Sequence, residues 1–366
     1  MIDKTRLTTG SVVQMMEAAR GLLQRGHRVW VTSRSGGDLE GACSDAGIPF
    51  FPLPLRGPAD LVSALRLRRR LRSEKPMIVH AHKGSSHAIA LLAAAGFGSS
   101  PVLVVNRGVS FPLDRFNRWK YRHSRVGAVV CVAENIRSVV IRSTGLDPLQ
   151  AVVIHAGTDT RRFNPSAIDG AGVRNDLGLG PEDLLVGQIS VRDWKGWRNL
   201  LMAFAEVVKG RPNARLLLVG CETTAELDKV KTTARDLGCI DRVLTLPFRA
   251  DMPEVLAACD VVVDASWAGT GITGTLREGM AMERAVIGTD CGGNRELVID
   301  REVGLLVPPR DVSALAAAIG RLLDNPSLRT RLGKAARRRV VTHFSTEHRL
   351  DRLETLYRDL VARTAE

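Results

Sequence analysis

Apolar residues fall in two alternating rhythms along this chain, short unbroken runs and longer stretches in which they recur at helical spacing. Between Gly10 and Arg25, the residues Val13, Met16, Ala19, Leu22 and Leu23 share one helical stripe, and His27 to Val31 reads as the strand that follows. Further strands are expected at Met77–Val79, Val102–Val105, Gly127–Val132 and Ala151–Ile154. After the turn-rich segment Asn164 to Asp176 a second series begins, at Leu184–Ser190, Arg215–Val219, Val243–Leu246, Val261–Asp264 and Ala285–Gly288. Strands alternating with helices predict an α/β fold of two doubly wound parallel sheets, in domains 1–165 and 166–344. The remainder, 345–366, holds a charged amphipathic helix with Leu350, Leu353, Leu356, Tyr357 and Leu360 in register, long enough to cross back onto the first domain. A parallel domain normally opens on a buried strand that feeds a glycine loop, whereas only short polar sequence precedes Gly10. The first strand is therefore expected to be missing, with the N-terminus truncated or misassigned.

Length and composition change this picture little. The 366 residues and 45% apolar content suit two cores, and 4% aromatic content argues against stacked-base recognition of nucleic acid. The apolar stretch Ala88 to Phe97 is half of a membrane span and no cationic-then-apolar leader precedes the first helix, so a cytoplasmic protein is expected. Six cysteines without a CxxC pair read as reduced thiols, and no clustered ligands imply a metal.

Charge says more. The net charge of +13 is concentrated where Arg66, Arg68, Arg69, Arg70 and Arg72 interleave with leucines, either a solvated face or a surface for anionic lipid headgroups. A second basic run, Arg115 to Arg125, contains Trp119 and Tyr121.

Two loops carry candidate chemistry. Val261 to Asp264 leads into Gly269-Thr270-Gly271-Ile272-Thr273-Gly274, with Asp290 about 20 residues on, which reads literally as a dinucleotide fingerprint. It sits deep in the second series, where a dehydrogenase would more often place it on the first strand. The segment Ser190-Val191-Arg192-Asp193-Trp194-Lys195-Gly196 puts two cations on the loop after the first strand of the second domain, suited to an anionic leaving group.

With Glu278 in Leu276-Arg277-Glu278-Gly279, the glycine pair of Asp290-Cys291-Gly292-Gly293-Asn294-Arg295-Glu296, and His80-Ala81-His82-Lys83, the chain resembles the family 4 retaining glycosyltransferases, also called glycosyl transferases group 1. The resemblance implies the GT-B fold, two Rossmann-like domains facing across a cleft, a nucleotide-sugar donor and no metal cofactor. It makes Arg192 and Lys195 the clamp on the donor diphosphate, Glu278 the ribose contact and His82 the group over the transferred sugar. Gly271, Ile272, Thr273, Gly292, Gly293, Asn294 and Glu296 become donor contacts, with Gly10 and Ser11 facing the phosphate. The family's first glutamate falls on Thr270, a departure that bears on donor identity or on activity itself. Arg107 and Lys83 are acceptor candidates, and His80 reads as a core group on the opposite strand face. The implied partners are a nucleotide sugar, a saccharide or lipid-linked acceptor of the bacterial envelope, and an anionic membrane, with nucleic acid excluded. A sugar-nucleotide epimerase, a nicotinamide enzyme and a catalytically silent scaffold stand as alternatives.

Overall fold

The computed structural model describes residues 1–2, 10–98, 100–268 and 271–365. Along the chain run α1 (Gly10–Gln24), β1 (Val31–Ser33), α2 (Asp38–Asp45), β2 (Phe50–Pro52), α3 (Leu61–Glu74), β3 (Ile78–Ala81), α4 (Gly84–Ala94), β4 (Val102–Arg107), α5 (Arg115–Arg122), β5 (Val126–Cys131), α6 (Glu134–Thr144) and β6 (Ala151–Val153). Next come α7 (Ala171–Asp176), β7 (Leu184–Ile189), α8 (Trp197–Val208), β8 (Ala214–Val219), α9 (Thr224–Asp236), β9 (Val243–Leu246), α10 (Met252–Ala258), β10 (Val261–Asp264), α11 (Gly274–Ala281), β11 (Ala285–Thr289), α12 (Asn294–Leu297), β12 (Leu305–Val307), α13 (Val312–Leu323), α14 (Pro326–His343) and α15 (Thr346–Ala365). They form two compact units, Met1–Gly157 with Thr346–Glu366, and Thr158–Ser345. The division follows Gly157, upstream of the expected boundary near 165.

In the second unit the sheet order is β12-β11-β10-β7-β8-β9, every pairing parallel. This is a doubly wound sheet whose order reverses between β7 and β10, so the loops leaving those two strands meet at one crevice. Strands covered on both faces need no alternation. Accordingly β10, Val-Val-Val-Asp, is buried throughout, and β8 buries Leu216, Leu217 and Leu218 together. Helix α8 packs Leu200, Leu201 and Phe204 against that sheet, all at 0% exposure.

In the first unit β3-β4-β5-β6 form one parallel sheet and β1-β2 a separate pair. At the place where the first strand is expected to be missing, residues 1–2 bond to both neighbours, and residues 3–9 lie outside the described residues. Ile2 N donates to Thr32 O at 3.1 Å, while Met1 N donates to His80 O at 2.9 Å and His82 N to Met1 O at 3.0 Å. Residues 1–2 thus bridge the β1-β2 pair to β3, with Ile2 at 0% exposure. The short strand β2 escaped the sequence pattern, and β1 starts at Val31 instead of His27.

The basic helix α3 divides its arginines. Arg68 Nη1 donates to Ala93 O at 3.2 Å and to Ala95 O, and its guanidinium lies over Phe97. Arg70 pairs with Glu74 at 3.2 Å and lies over Trp30 and Phe51. These two hold local packing; Arg66, Arg69 and Arg72 are exposed, the Arg72 guanidinium also lying over Phe97. No helix among the described residues is long and apolar enough to cross a membrane.

Helix α15 belongs to the first unit because Leu350, Leu353 and Leu360 enter the cluster formed with Val102, Val104, Ala128 and Val130 of the sheet. Leu353→Ala is expected to destabilise this unit by about 3 kcal/mol in a denaturant titration, whereas exposed Arg358→Ala should stay within about 0.5 kcal/mol.

Candidate functional site

The crevice of the second unit is organised by one ion pair. Asp264 ends β10 with a fully buried side chain, and Lys195 Nζ meets its Oδ2 at 3.0 Å from the loop after β7. Asp264 Oδ1 accepts from Ser266 N at 3.2 Å. The ammonium also lies over the Trp194 ring, 4.9 Å from its centroid. Sequence reasoning missed Asp264, although an acidic residue closing a strand of three valines is the pattern that marks it.

Three features hold this loop in place. Ser190 turns out of β7 with φ 77°, a strained value for a side-chain-bearing residue. Gly196 takes φ 70°, and a Cβ there would lie 2.0 Å from Ala265 O. Trp267 latches the loop to the segment after β10, its backbone N donating to Trp194 O and its indole Nε1 to Asp193 O, both at 3.0 Å. Arg192, on the same loop, is exposed, and its side chain makes no hydrogen bond or ion pair among the described residues.

Helix α11 brings Glu278 to the same end of the sheet. Its Oε1 lies 3.5 Å from where a Cβ of Gly274 would stand, so the carboxylate folds back over the first turn of its own helix. Burial pushes this carboxyl above the ordinary glutamate range, against the opposing pull of Arg277, Arg162 and Lys195. Arg277, itself buried, donates through Nη1 to Thr158 Oγ1 at 3.1 Å.

The glycine loops differ from the expectation. Gly293 N donates to Gly271 O at 3.3 Å, so this amide ties the two loops together instead of standing open to a phosphate. Gly292 takes φ 61° to make the bend. Asn294 is fully buried and donates to Thr289 O at 3.1 Å, a structural bond, and the Ile272 side chain is also buried. Thr273 Oγ1 and Asn294 Oδ1 are buried without a partner among the described residues. Glu296 sits in the first turn of α12. Thr270 and Gly269 lie outside the described residues, so the fingerprint is only partly visible. Its helix follows β10, the fourth strand of this sheet in chain order, where a dinucleotide fold places it after the first.

In the first unit His82 closes β3. It is 6% exposed, and burial, the neighbouring His80 and nearby cations hold it well below the usual histidine range, leaving a neutral ring. His80 and His82 stack with centroids 4.2 Å apart, which corrects the expectation of opposite faces, since strand positions two apart share a face. His80 Nδ1 lies 2.6 Å from Tyr357 Oη of α15. Gly10 opens α1, and Ser11 Oγ is buried without a partner among the described residues. Lys83 precedes α4 and Arg107 ends β4, both beside the strand end that carries His82.

Two parallel-sheet α/β units with this crevice define a GT-B glycosyltransferase. Residues 8–162 match the family described as Glycosyltransferase Family 4, and residues 181–325 the family described as Glycosyl transferases group 1. The chain belongs to the family 4, group 1 glycosyltransferases and is an enzyme of that class. It is similar to the UDP-Gal:alpha-D-GlcNAc-diphosphoundecaprenol alpha-1,3-galactosyltransferase of Escherichia coli, 26% identical over 317 residues, 82% of this chain and 80% of the relative. It is 28% identical to the alpha-D-kanosaminyltransferase of Streptomyces kanamyceticus, over 86% of this chain and 88% of that one. In fold it resembles a glycosyltransferase from Rickettsia africae (TM-score 0.89, 20% identity, 98% of each chain) and Anabaena HepE in complex with UDP (0.83, 22%, 97% of this chain and 98% of that one).

Gly196→Ala combines a left-handed backbone with a contact against Ala265 O, so it is expected to lower stability by at least ~2 kcal/mol, measured by thermal unfolding; an alanine there that melts like the parent would remove the role given to this close approach.

Proposed function

We propose that this enzyme transfers a sugar from a UDP-sugar, with retention of anomeric configuration, to a saccharide or lipid-linked acceptor of the bacterial envelope. The observation that carries the proposal is the Arg192/Lys195 loop at the switch point with Glu278 beside it, two cations for a diphosphate and a carboxylate for two ribose hydroxyls. The Escherichia coli relative, named for UDP-Gal and an alpha-1,3 product on a diphosphoundecaprenol-linked acceptor, supports donor, outcome and acceptor class. His82 is given a positioning role toward sugar and acceptor. The reading takes no metal, the cations Lys195 and Arg192 meeting the diphosphate charge in its place.

A thermal-shift titration with UDP, GDP, ADP, NAD and NADP tests the donor. Lys195→Ala alone strands the Asp264 carboxylate at a cost of about 3–5 kcal/mol, so the informative variant is Lys195→Ala with Asp264→Asn. UDP is expected to raise the Tm of the parent and not of the double variant; a response to NAD or NADP alone overturns the reading. Glu278 must be ionised to accept from both hydroxyls, and its proton affinity is raised. UDP affinity is therefore expected to fall as pH drops through that raised value, at a higher pH than an exposed glutamate would give, and Glu278→Gln should bind weakly without this limb. Product anomeric configuration by NMR tests retention, and inversion would sink it.

The proposed membrane face is the exposed side of α3, where Leu61 (65%), Val62 (51%) and Leu65 (61%) stand beside Arg66, Arg69 and Arg72. Such a helix lies in the interface with apolar residues inserted and cations on anionic headgroups. Flotation with phosphatidylglycerol vesicles is expected to recover the parent and to lose the Leu61→Asp, Leu65→Asp variant; equal recovery of both would remove the membrane face.

A further inference from the structure

One arginine of the second unit adopts a backbone that favours glycine. Arg310, the third residue after β12, takes φ 64°, a left-handed value that costs energy in a residue with a side chain. Its guanidinium lies over the Trp267 ring, 4.0 Å from the centroid. Trp267 follows β10, so the Arg310 side chain reaches across the exit of β11, the strand between the two. Trp267 is also the residue that latches the cation loop, donating to Trp194 O and Asp193 O, both at 3.0 Å. Arg310 is thereby mounted on the segment that holds the loop of Lys195. Its side chain is exposed and makes no hydrogen bond or ion pair among the described residues. The carboxylates of the neighbouring loops already have partners. Asp193 pairs with Arg198 at 2.6 Å, Asp264 with Lys195 at 3.0 Å and Asp290 with Arg295, while Asp311 Oδ1 accepts from Ala314 N at 2.9 Å.

An aromatic ring holds a guanidinium differently from a carboxylate, since it orients the planar fork and leaves the positive charge uncancelled. Arg310 therefore carries a full charge with a support beneath it. Such a group, kept on a strained backbone at the carboxyl end of the sheet, is suited to take an anion through two parallel N–H groups. We propose that Arg310 binds an anionic group of the donor in this crevice, either a phosphate of its diphosphate or a carboxylate on its sugar. Trp267 is then the mount that gives the guanidinium its place. The assignment to a donor rests on the nucleotide-sugar reading of the second unit; the anion site itself does not.

The test titrates the full chain with pyrophosphate, UDP, UDP-glucose and UDP-glucuronate by calorimetry. Arg310→Gly is expected to raise Kd about tenfold for the ligand whose anion the guanidinium meets. Its ligand-free Tm should be unchanged, because glycine relieves the strain that the ring contact offsets. Arg310→Lys keeps the charge without the planar fork and should recover only part of the affinity. The gap between the parent and Arg310→Gly should narrow as salt rises, a dependence that a packing role would not show. A loss on pyrophosphate, UDP and UDP-glucose alike places Arg310 on the diphosphate, and a loss confined to UDP-glucuronate places it on a sugar carboxylate. Equal affinities of the parent and Arg310→Gly for all four ligands overturn the site, as does a parent that binds none of them. A lower Tm with unaltered affinities also overturns it, leaving Arg310 a packing residue. Pyrophosphate binding that depends on Arg310, without UDP binding, removes only the UDP reading; UDP binding by a parent whose four affinities all ignore Arg310 removes only this site.

Discussion

Taking Asp264 out of water is the step on which the second unit's crevice depends. A carboxylate with no side-chain exposure costs several kcal/mol unless it is paired and hydrogen-bonded, and here the partners are Lys195 at 3.0 Å and the Ser266 amide. Lys195 can reach it only because β7 and β10 are neighbours at the reversal of strand order, which brings the two loops together. The loop must then pass against Ala265, which Gly196 permits, and Trp267 ties it down from the other side. Strand order, glycine, latch and ion pair are therefore one constraint seen at four levels.

The first unit answers the same topology with different chemistry. Residues 1–2 bond to both Thr32 and the β3 strand, so the strand order again reverses beside β3, whose end carries the stacked histidines. Burial keeps both rings neutral, so this end of the sheet offers oriented hydrogen bonds where the other unit offers charge. Lys83 follows His82 directly and Arg349 lies near both rings, so the positive charge beside them also favours the neutral form.

Much of this was legible in the sequence because parallel strands buried on both faces leave unbroken apolar runs. β9 and β10 were read to the residue, and β7, β8 and β11 to within one. The short β2, Phe50–Pro52, carries no such run, and residues 1–2 act through backbone bonds that no side-chain pattern reports. The cation loop and Glu278 were readable as motifs, since their chemistry is in the residue types. Asp264, the Trp267 latch and the closed Gly293 amide depend on which loops the sheet brings together. The same holds for α3, where periodicity exposes a row of arginines but cannot show that Arg68 and Arg70 are already engaged by carbonyls, Glu74 and aromatic rings.

That engagement of cations also bears on how the proposed donor would be held. An ammonium with a carboxylate 3.0 Å away presents little net charge at a distance, because the two fields largely cancel. What the pair preserves is direction, with the remaining N–H groups of Lys195 fixed by Asp264 and by the Trp194 ring. Arg192, exposed and with its side chain unpartnered among the described residues, retains its full charge but has nothing to fix its orientation. In the proposed reaction the two cations therefore do different work. Lys195 supplies a preorganised donor at a defined point, and Arg192 supplies the charge that a departing diphosphate draws toward itself.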